Sequence, residues 1–348
     1  MSDNSQADNG RGSRLAWLNP LASGLTKSRR LTRLGFLLLA LWLLAAPLVM
    51  WFEYDRAFPP FFDPRPQPAA GGDAGAAPAP PPRGAVYADT LVAMGERMLK
   101  AWLPNDILWP SILLDNPQNF QMGQLEAMRY ATRLLRDKLS RQRTTDKIDP
   151  DADRAFTDFS NNPKAWVFPS AESKFSDGVK SLRRYRQGLD QGSAAFYPRA
   201  DNLIELLEQF ASLLGGVDTR LGNAPRDWTV RMSEETAGDR YSEGETTYRV
   251  SVPWTQIDDN FYFARGVAYG IRQVLLAARW EFAEILRIKR SQELLDNIVA
   301  ELALAQFEPL VVLNGDRDSV FANHSLSLMA TLEDVRQKMI SLQQMLER

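Results

Sequence analysis

Two hydrophobic patterns divide the chain. Residues 34–52, LGFLLLALWLLAAPLVMWF, are apolar on every side and uncharged over nineteen positions, which at about 1.5 Å per residue covers most of a hydrocarbon core of about 30 Å. From residue 85 onward apolar residues instead recur at steps of three and four, the period of helices that bury one face. Tyr87, Leu91, Met94, Met98 and Trp102 make the first stripe, ended by Pro104, and Leu125, Met128, Thr132, Leu135 and Leu139 the second. Ser170 caps a third helix bearing Phe175, Val179, Leu182, Tyr185 and Leu189, closed by Gly192. Asp201 caps a fourth that Gly215-Gly216 stops. A long helix begins near Asp258 or Asp259 with Ala264, Val267, Ile271, Val274, Ala278 and Phe282, Ser291 opens its hairpin partner, and a last helix starts near Ser325. The expected fold is mainly α: a single transmembrane helix followed by a bundle of about seven helices.

One region departs from that period. Trp228, Val230 and Met232, then Tyr248, Val250 and Val252, alternate at period two, which reads as a two-stranded β ribbon at about 228–253 lying against the helices, with an acidic loop from 233 to 245. Ahead of the bundle, residues 57–84 hold nine prolines and few large apolar residues after Phe62. Such a stretch cannot bury enough surface to fold and reads as an extended tether of at most about 90 Å, at 3.1 Å per residue. Phe58, Phe61 and Phe62 are expected to touch the membrane surface. The layout is thus a basic tail over 1–33, a span over 34–52, a linker over 53–84 and a helical domain over 85–348.

Charge orients the span. Arg11, Arg14, Lys27, Arg29, Arg30 and Arg33 precede it against Asp3 and Asp8, whereas Glu53 and Asp55 follow it. The positive-inside rule therefore puts the N-terminus in the cytoplasm and the domain on the far side of the bilayer. A cleaved signal peptide is the competing reading, but the apolar run is too long and Leu44-Ala45-Ala46-Pro47 is a poor cleavage site. The bilayer, met through residues 34–52, is the first expected partner. From Ala85 onward 32 of the 41 basic and 37 of the 43 acidic residues are found, an acidic surplus that disfavours nucleic acid as a partner.

The reactive chemistry is thin. There are no cysteines and one histidine, His324, so thiolate catalysis, disulfides and multi-histidine metal sites are out, and no cofactor is expected. Asp149-Pro150-Asp151-Ala152-Asp153 begins like a calcium loop, but Arg154 stands where the turn glycine belongs and Ser160 where the bidentate glutamate belongs. A helix-start loop is the better reading. His324 follows Asn323 just before the last helix, and a structural role is preferred for it. No catalytic residue is assigned.

Two segments are candidates for holding a partner. Residues 103–120 mix Trp109 with Asn105, Asp106 and Asn116 among aliphatic residues, a combination that can bind a glycan or peptide, although a connection whose polar groups satisfy its own backbone is preferred. Leu328, Leu332, Val335, Met339, Leu342 and Leu346 repeat at four and three. That heptad seam could join protomers into a homo-oligomer through the C-terminal helix, but it is short, and packing on the same chain is the favoured alternative.

The stretch LPNDILWPSILLDNPQNFQMGQLEAMRYATRLLRDKLSRQR, residues 103–143, resembles a bacterial family catalogued as domain of unknown function 2333, and the resemblance extends over the whole chain. It implies a Gram-negative inner-membrane setting and brings no activity or cofactor. Anchor, spacer and helix hairpins together suggest a scaffold or adaptor for envelope proteins. The alternative is an envelope enzyme such as a carboxylate-dependent glycan hydrolase.

Overall fold

The computed structural model describes residues 19–65, 80–106, 110–143, 145–223, 228–232, 246–250, 256–314 and 322–348, without the side chains of 19–30, 112, 228–232 and 246–250. The described residues are mainly helical, and they fall into two units, Met1–Phe52 and Glu53–Arg348.

The first unit consists of most of helix α1, Asn19–Ala57, whose last turn belongs to the second unit. Within α1, Leu31–Ala57 is long and apolar enough to cross a membrane. Its leucines and Phe36, Trp42 and Trp51 face outward, as expected of a helix with no polar face.

The second unit is a bundle of α2 (Ala85–Leu99), α3 (Asp115–Leu134), α4 (Pro150–Phe159), α5 (Ala171–Gln191), α6 (Ala200–Asn223), α7 (Ile257–Glu281), α8 (Ala283–Ile288), α9 (Gln292–Leu304) and α10 (His324–Glu347). These nine helices among the described residues exceed the seven that periodicity suggests for the bundle, because α4 and α8 are too short to show a stripe. Caps follow the sequence at the starts of α4 and α5. Asp149 Oδ1 accepts from the N–H groups of Asp151 and Ala152, so the acid-rich start of α4 is a helix cap. Ser170 Oγ accepts from Ser173 N, and Gly192 closes α5 at φ 70°. Asn323 caps α10 by accepting from Leu326 N.

The expected stop at Gly215-Gly216 is wrong. α6 runs on to Asn223, because Leu213, Leu214, Val217 and Leu221 stay buried in the core and their packing outweighs the cost of two glycines.

At the centre lie α3 and α7, which run parallel. A Cβ on Gly266 would lie 1.9 Å from Phe120 O, and one on Gly123 2.0 Å from Phe263 O, so the two backbones touch where a side chain would hold them apart. α2 returns beside them, and Glu281 at the end of α7 accepts from the N–H groups of Gly84, Val86 and Tyr87 at 2.7–3.3 Å. A carboxylate from almost two hundred positions away thus satisfies the free donors at the start of α2. α6 and α10 pair antiparallel on one flank. The rings of Tyr87, Tyr185, Phe120, Phe159, Phe175, Phe210 and Phe261 fill the core.

Backbone pairing joins Trp228–Met232 to Thr246–Val250 antiparallel, with Trp228 opposite Val250. The acidic loop at 233–245 lies outside the described residues.

Candidate binding site: a docked segment and an arginine stripe

Residues 53–65 do not hang free. Phe58 packs on the core, its ring centroid 4.8 Å from Phe120 and 5.8 Å from Tyr262. Phe61 stacks on Tyr269 at 5.5 Å, and Phe62 lies under the Arg97 guanidinium at 4.1 Å. The expectation that these phenylalanines touch the membrane surface is therefore corrected: they touch the bundle.

Local sequence explains why the segment lends itself to this. Pro59 and Pro60 hold it extended and lack N–H groups, so chiefly carbonyls need partners. Side chains of the bundle supply them: Arg97 Nη1 and Tyr269 Oη donate to Pro60 O at 3.2 and 3.3 Å, and Gln273 Nε2 to Phe62 O at 3.2 Å. At the start of the segment the Tyr54 hydroxyl donates to the Glu308 carboxylate. The tether expected over 53–84 therefore has its first thirteen residues fastened along α7, and 66–79 lie outside the described residues.

The face of α7 that receives the segment bears Arg265, Arg272 and Arg279, each seven positions from the last, a spacing that keeps side chains on one face. Arg265 is 4 % exposed. Its Nη2 donates to Gln306 O at 3.1 Å and Glu308 Oε2 at 3.4 Å, while Nε and Nη1 are buried without a described partner. The Phe58 and Tyr262 rings lie 5.4 and 5.1 Å from its guanidinium and take part of the charge. Arg272 lies 3.8 Å from the Phe61 ring centroid. Burial lowers the pKa of its guanidinium from the usual value, yet the group stays cationic in any aqueous buffer. Arg279 is paired with Asp296.

Between residues 61–65 and α7 opens a cleft of about 530 Å³ lined by Phe61, Arg65, Arg272, Leu276, Arg279 and Trp280, among others. Arg65 is neutralised by Asp63 and Arg279 by Asp296, whereas Arg272 has no carboxylate partner among the described residues. An anionic group entering the cleft would meet an unneutralised guanidinium beside the exposed face of Trp280. Glycoside cleavage needs two free carboxyl groups across a cleft, and the acid lining this one is already held by Arg65.

The candidates read from sequence lie elsewhere. Asn105 is buried and turned inward, its Nδ2 donating to Ala165 O at 3.0 Å and Glu172 Oε2 at 2.8 Å. Asp106 bonds through its N–H to Leu103 O, and burial, then the nearby Glu53 and Glu172 carboxyl groups, push its pKa up. Asn116 N donates to the Asp115 carboxylate, and Trp109 lies outside the described residues. Asn105 Nδ2 and the backbone N–H groups of Asp106 and Asn116 are therefore spent inside the body, while the Oδ1 atoms of Asn105 and Asn116 are buried without a described partner. Leu328, Leu332, Val335, Met339, Leu342 and Leu346 are at most 2 % exposed. They face the chain's own α6 and the core, the packing on the same chain that the sequence reading favours over a contact between protomers. His324 Nδ1 accepts from Leu313 N at 2.9 Å, a loop-closing bond.

The arginine stripe went unread although its signal is present. Arginines at 265, 272 and 279 interrupt the most extensively buried helix of the body at a heptad spacing, and a charged residue there demands a partner from elsewhere in the chain.

A family model described as an uncharacterised protein conserved in bacteria, DUF2333, matches residues 26–348. No curated protein and no solved structure matches the chain.

Proposed function

The chain belongs to the DUF2333 family of bacterial proteins, and from that premise we propose that it is a non-enzymatic, membrane-anchored scaffold or adaptor of a cell-envelope complex. In this reading residues 34–52 span the inner membrane once, the basic tail of 1–33 stays in the cytoplasm, and the body stands on the periplasmic side as a partner-holding domain. The linker shrinks to about the stretch between the docked segment and α2.

The observation that carries the proposal is the fastening of residues 53–65 along α7. A body that holds the residues following its apolar helix by three phenylalanines and three side-chain donors has a shortened tether, which suits an assembly platform better than a freely ranging catalyst. The cleft beside that segment supplies the contact. Arginine and tryptophan are the residues most often dominant at protein interfaces, and Arg272 calls for an acidic side chain from the partner.

The test uses the full-length chain in its native host, with a photo-crosslinking residue at Trp280 and, as control, at Gln191. An envelope protein that crosslinks at 280, does not at 191, and is lost when Arg272→Glu is added supports the adaptor reading. Identical products at both positions would sink it. Orientation is read separately by single cysteines in this cysteine-free chain: an impermeant maleimide should label S193C and spare S13C in cells with a permeabilised outer membrane.

A further inference from the structure

Two loops of the body expose large apolar side chains. On one, Trp166, Val167 and Phe168 are 55, 64 and 103 % exposed, and on the other Leu310 and Val311 are 102 and 62 % exposed. Single exposed apolar residues are ordinary, but runs of them mark a surface that meets something apolar.

Both loops are fixed beside the residues at which the chain enters the body. Trp102 Nε1 donates to Pro163 O at 3.1 Å and Asn105 Nδ2 to Ala165 O at 3.0 Å, which fastens the first loop to the turn at 102–106. Asp106 on that turn feels the Glu53 carboxylate. The second loop leaves the bundle at Glu308, the acceptor of the Tyr54 hydroxyl. The second loop is thus tied within a few residues to Tyr54, and the first is fastened to a turn whose Asp106 is near enough to Glu53 to feel its charge, both directly after the uncharged stretch 34–52.

We infer that this end of the body rests on the bilayer, with the loops at 166–168 and 310–311 entering its interfacial layer. The inference rests on the proposed span. If residues 34–52 cross the membrane, Glu53 stands at the boundary between hydrocarbon and headgroups, and side chains held beside it share that layer. Tryptophan, phenylalanine and leucine suit it, the interface taking apolar groups about 5–10 Å deep. A protein partner would have to displace lipid that the span already brings to the same place. Charge argues about the kind of surface. Glu53, Asp106, Asp115, Asp258 and Asp259 gather near these loops, with Lys164 close to Asp259, so attachment comes from apolar insertion and does not need anionic lipid.

The experiment uses the full-length chain in phosphatidylcholine vesicles, with single cysteines F168C, L310C, L44C in the span and Q191C at the opposite end of α5, each carrying an environment-sensitive fluorophore. Phe168 and Leu310 are fully exposed, so their replacement removes no core contact. Nitroxide lipids labelled near the headgroup should at least halve the emission of F168C and L310C, nitroxides deep in the chains should quench L44C most, and Q191C should be unaffected. Quenching at L44C with F168C and L310C behaving like Q191C overturns the docking of the loops and leaves the span standing. Failure at L44C as well overturns the span reading, and this inference with it.

Discussion

The α3–α7 pair and the α6–α10 pair both contain glycines, and the same residue does opposite things in them. Between α3 and α7, Gly123 and Gly266 meet the partner's backbone at distances no Cβ could share. In α6, Gly216 has nothing within 4 Å of where its Cβ would stand, and Gly215 has only the Arg336 side chain at 3.5 Å. One pair is held by backbone approach, the other by the buried seam of Leu328, Leu332, Val335 and Met339. A glycine in a helix is therefore either the condition of a contact or a tolerated cost, and only its opposite neighbour tells which.

The sharpest way to break the comparison is Gly266→Ala. Its new methyl would overlap the Phe120 carbonyl, a backbone atom that cannot step aside without moving α3, and we expect a loss of about 3 kcal/mol or more, or failure to accumulate folded protein. A thermal melt like the wild type's would mean that α3 and α7 are not this close. On the seam side, Leu332→Ala leaves a cavity among fully buried residues and should cost about 2–5 kcal/mol. Chemical denaturation reads this, and a cost below that range would mean that the α6–α10 interface collapses around the gap.

The second pair also carries a charge test. Both carboxylate oxygens of Asp218 are buried without a described donor, and Glu333 on α10 is its neighbour, so a hydrogen bond between the two acids requires a proton. Burial first, then Glu333, pushes the Asp218 carboxyl up to about 7 from an ordinary 3.8. A folded-state pKa above the unfolded one means that this group's stabilising contribution is full below about pH 4 and is lost as pH rises to about 7. Discounted for the half-buried position, the loss is about 1–2 kcal/mol. Asp218→Asn should recover that amount at pH 8 and nothing at pH 4. Denaturation at the two pH values checks it, and destabilisation at both would refute the assignment. The smallest effect is Gly216→Ala, which should stabilise the body by about 0.5–1 kcal/mol, since a helix-favouring methyl enters open space. A drop in melting temperature there would erase the contrast with Gly266.

The candidate site was partly legible. Phe58, Phe61, Phe62 and the prolines around them stand out in the row, and so does the spacing of Arg265, Arg272 and Arg279. Their meeting does not. Periodicity finds the elements that bury a face by themselves, whereas residues 53–65 are ordered by donors and rings borrowed from α2, α3 and α7, and composition alone gives a proline-rich stretch the properties of a spacer. Asn105 shows the converse: a polar residue in a loop looks available until its partners are known, and its Nδ2 is taken by Ala165 O and Glu172 Oε2.

By itself the sequence determined the local choices: an uncharged helix long enough to cross a membrane, helices set by stripes of three and four, the caps at Asp149 and Ser170, and a seam on α10. Those features depend on residues within a few turns of one another. Tertiary structure decided what covers each face: α6 instead of a second copy against the seam, α3 pressed to α7 at Gly266, Glu281 closing the start of α2, and the segment after the apolar helix drawn along the arginines of α7. Each of those contacts joins residues far apart in the chain, and a pattern read along one segment states that a face needs burying without stating by what.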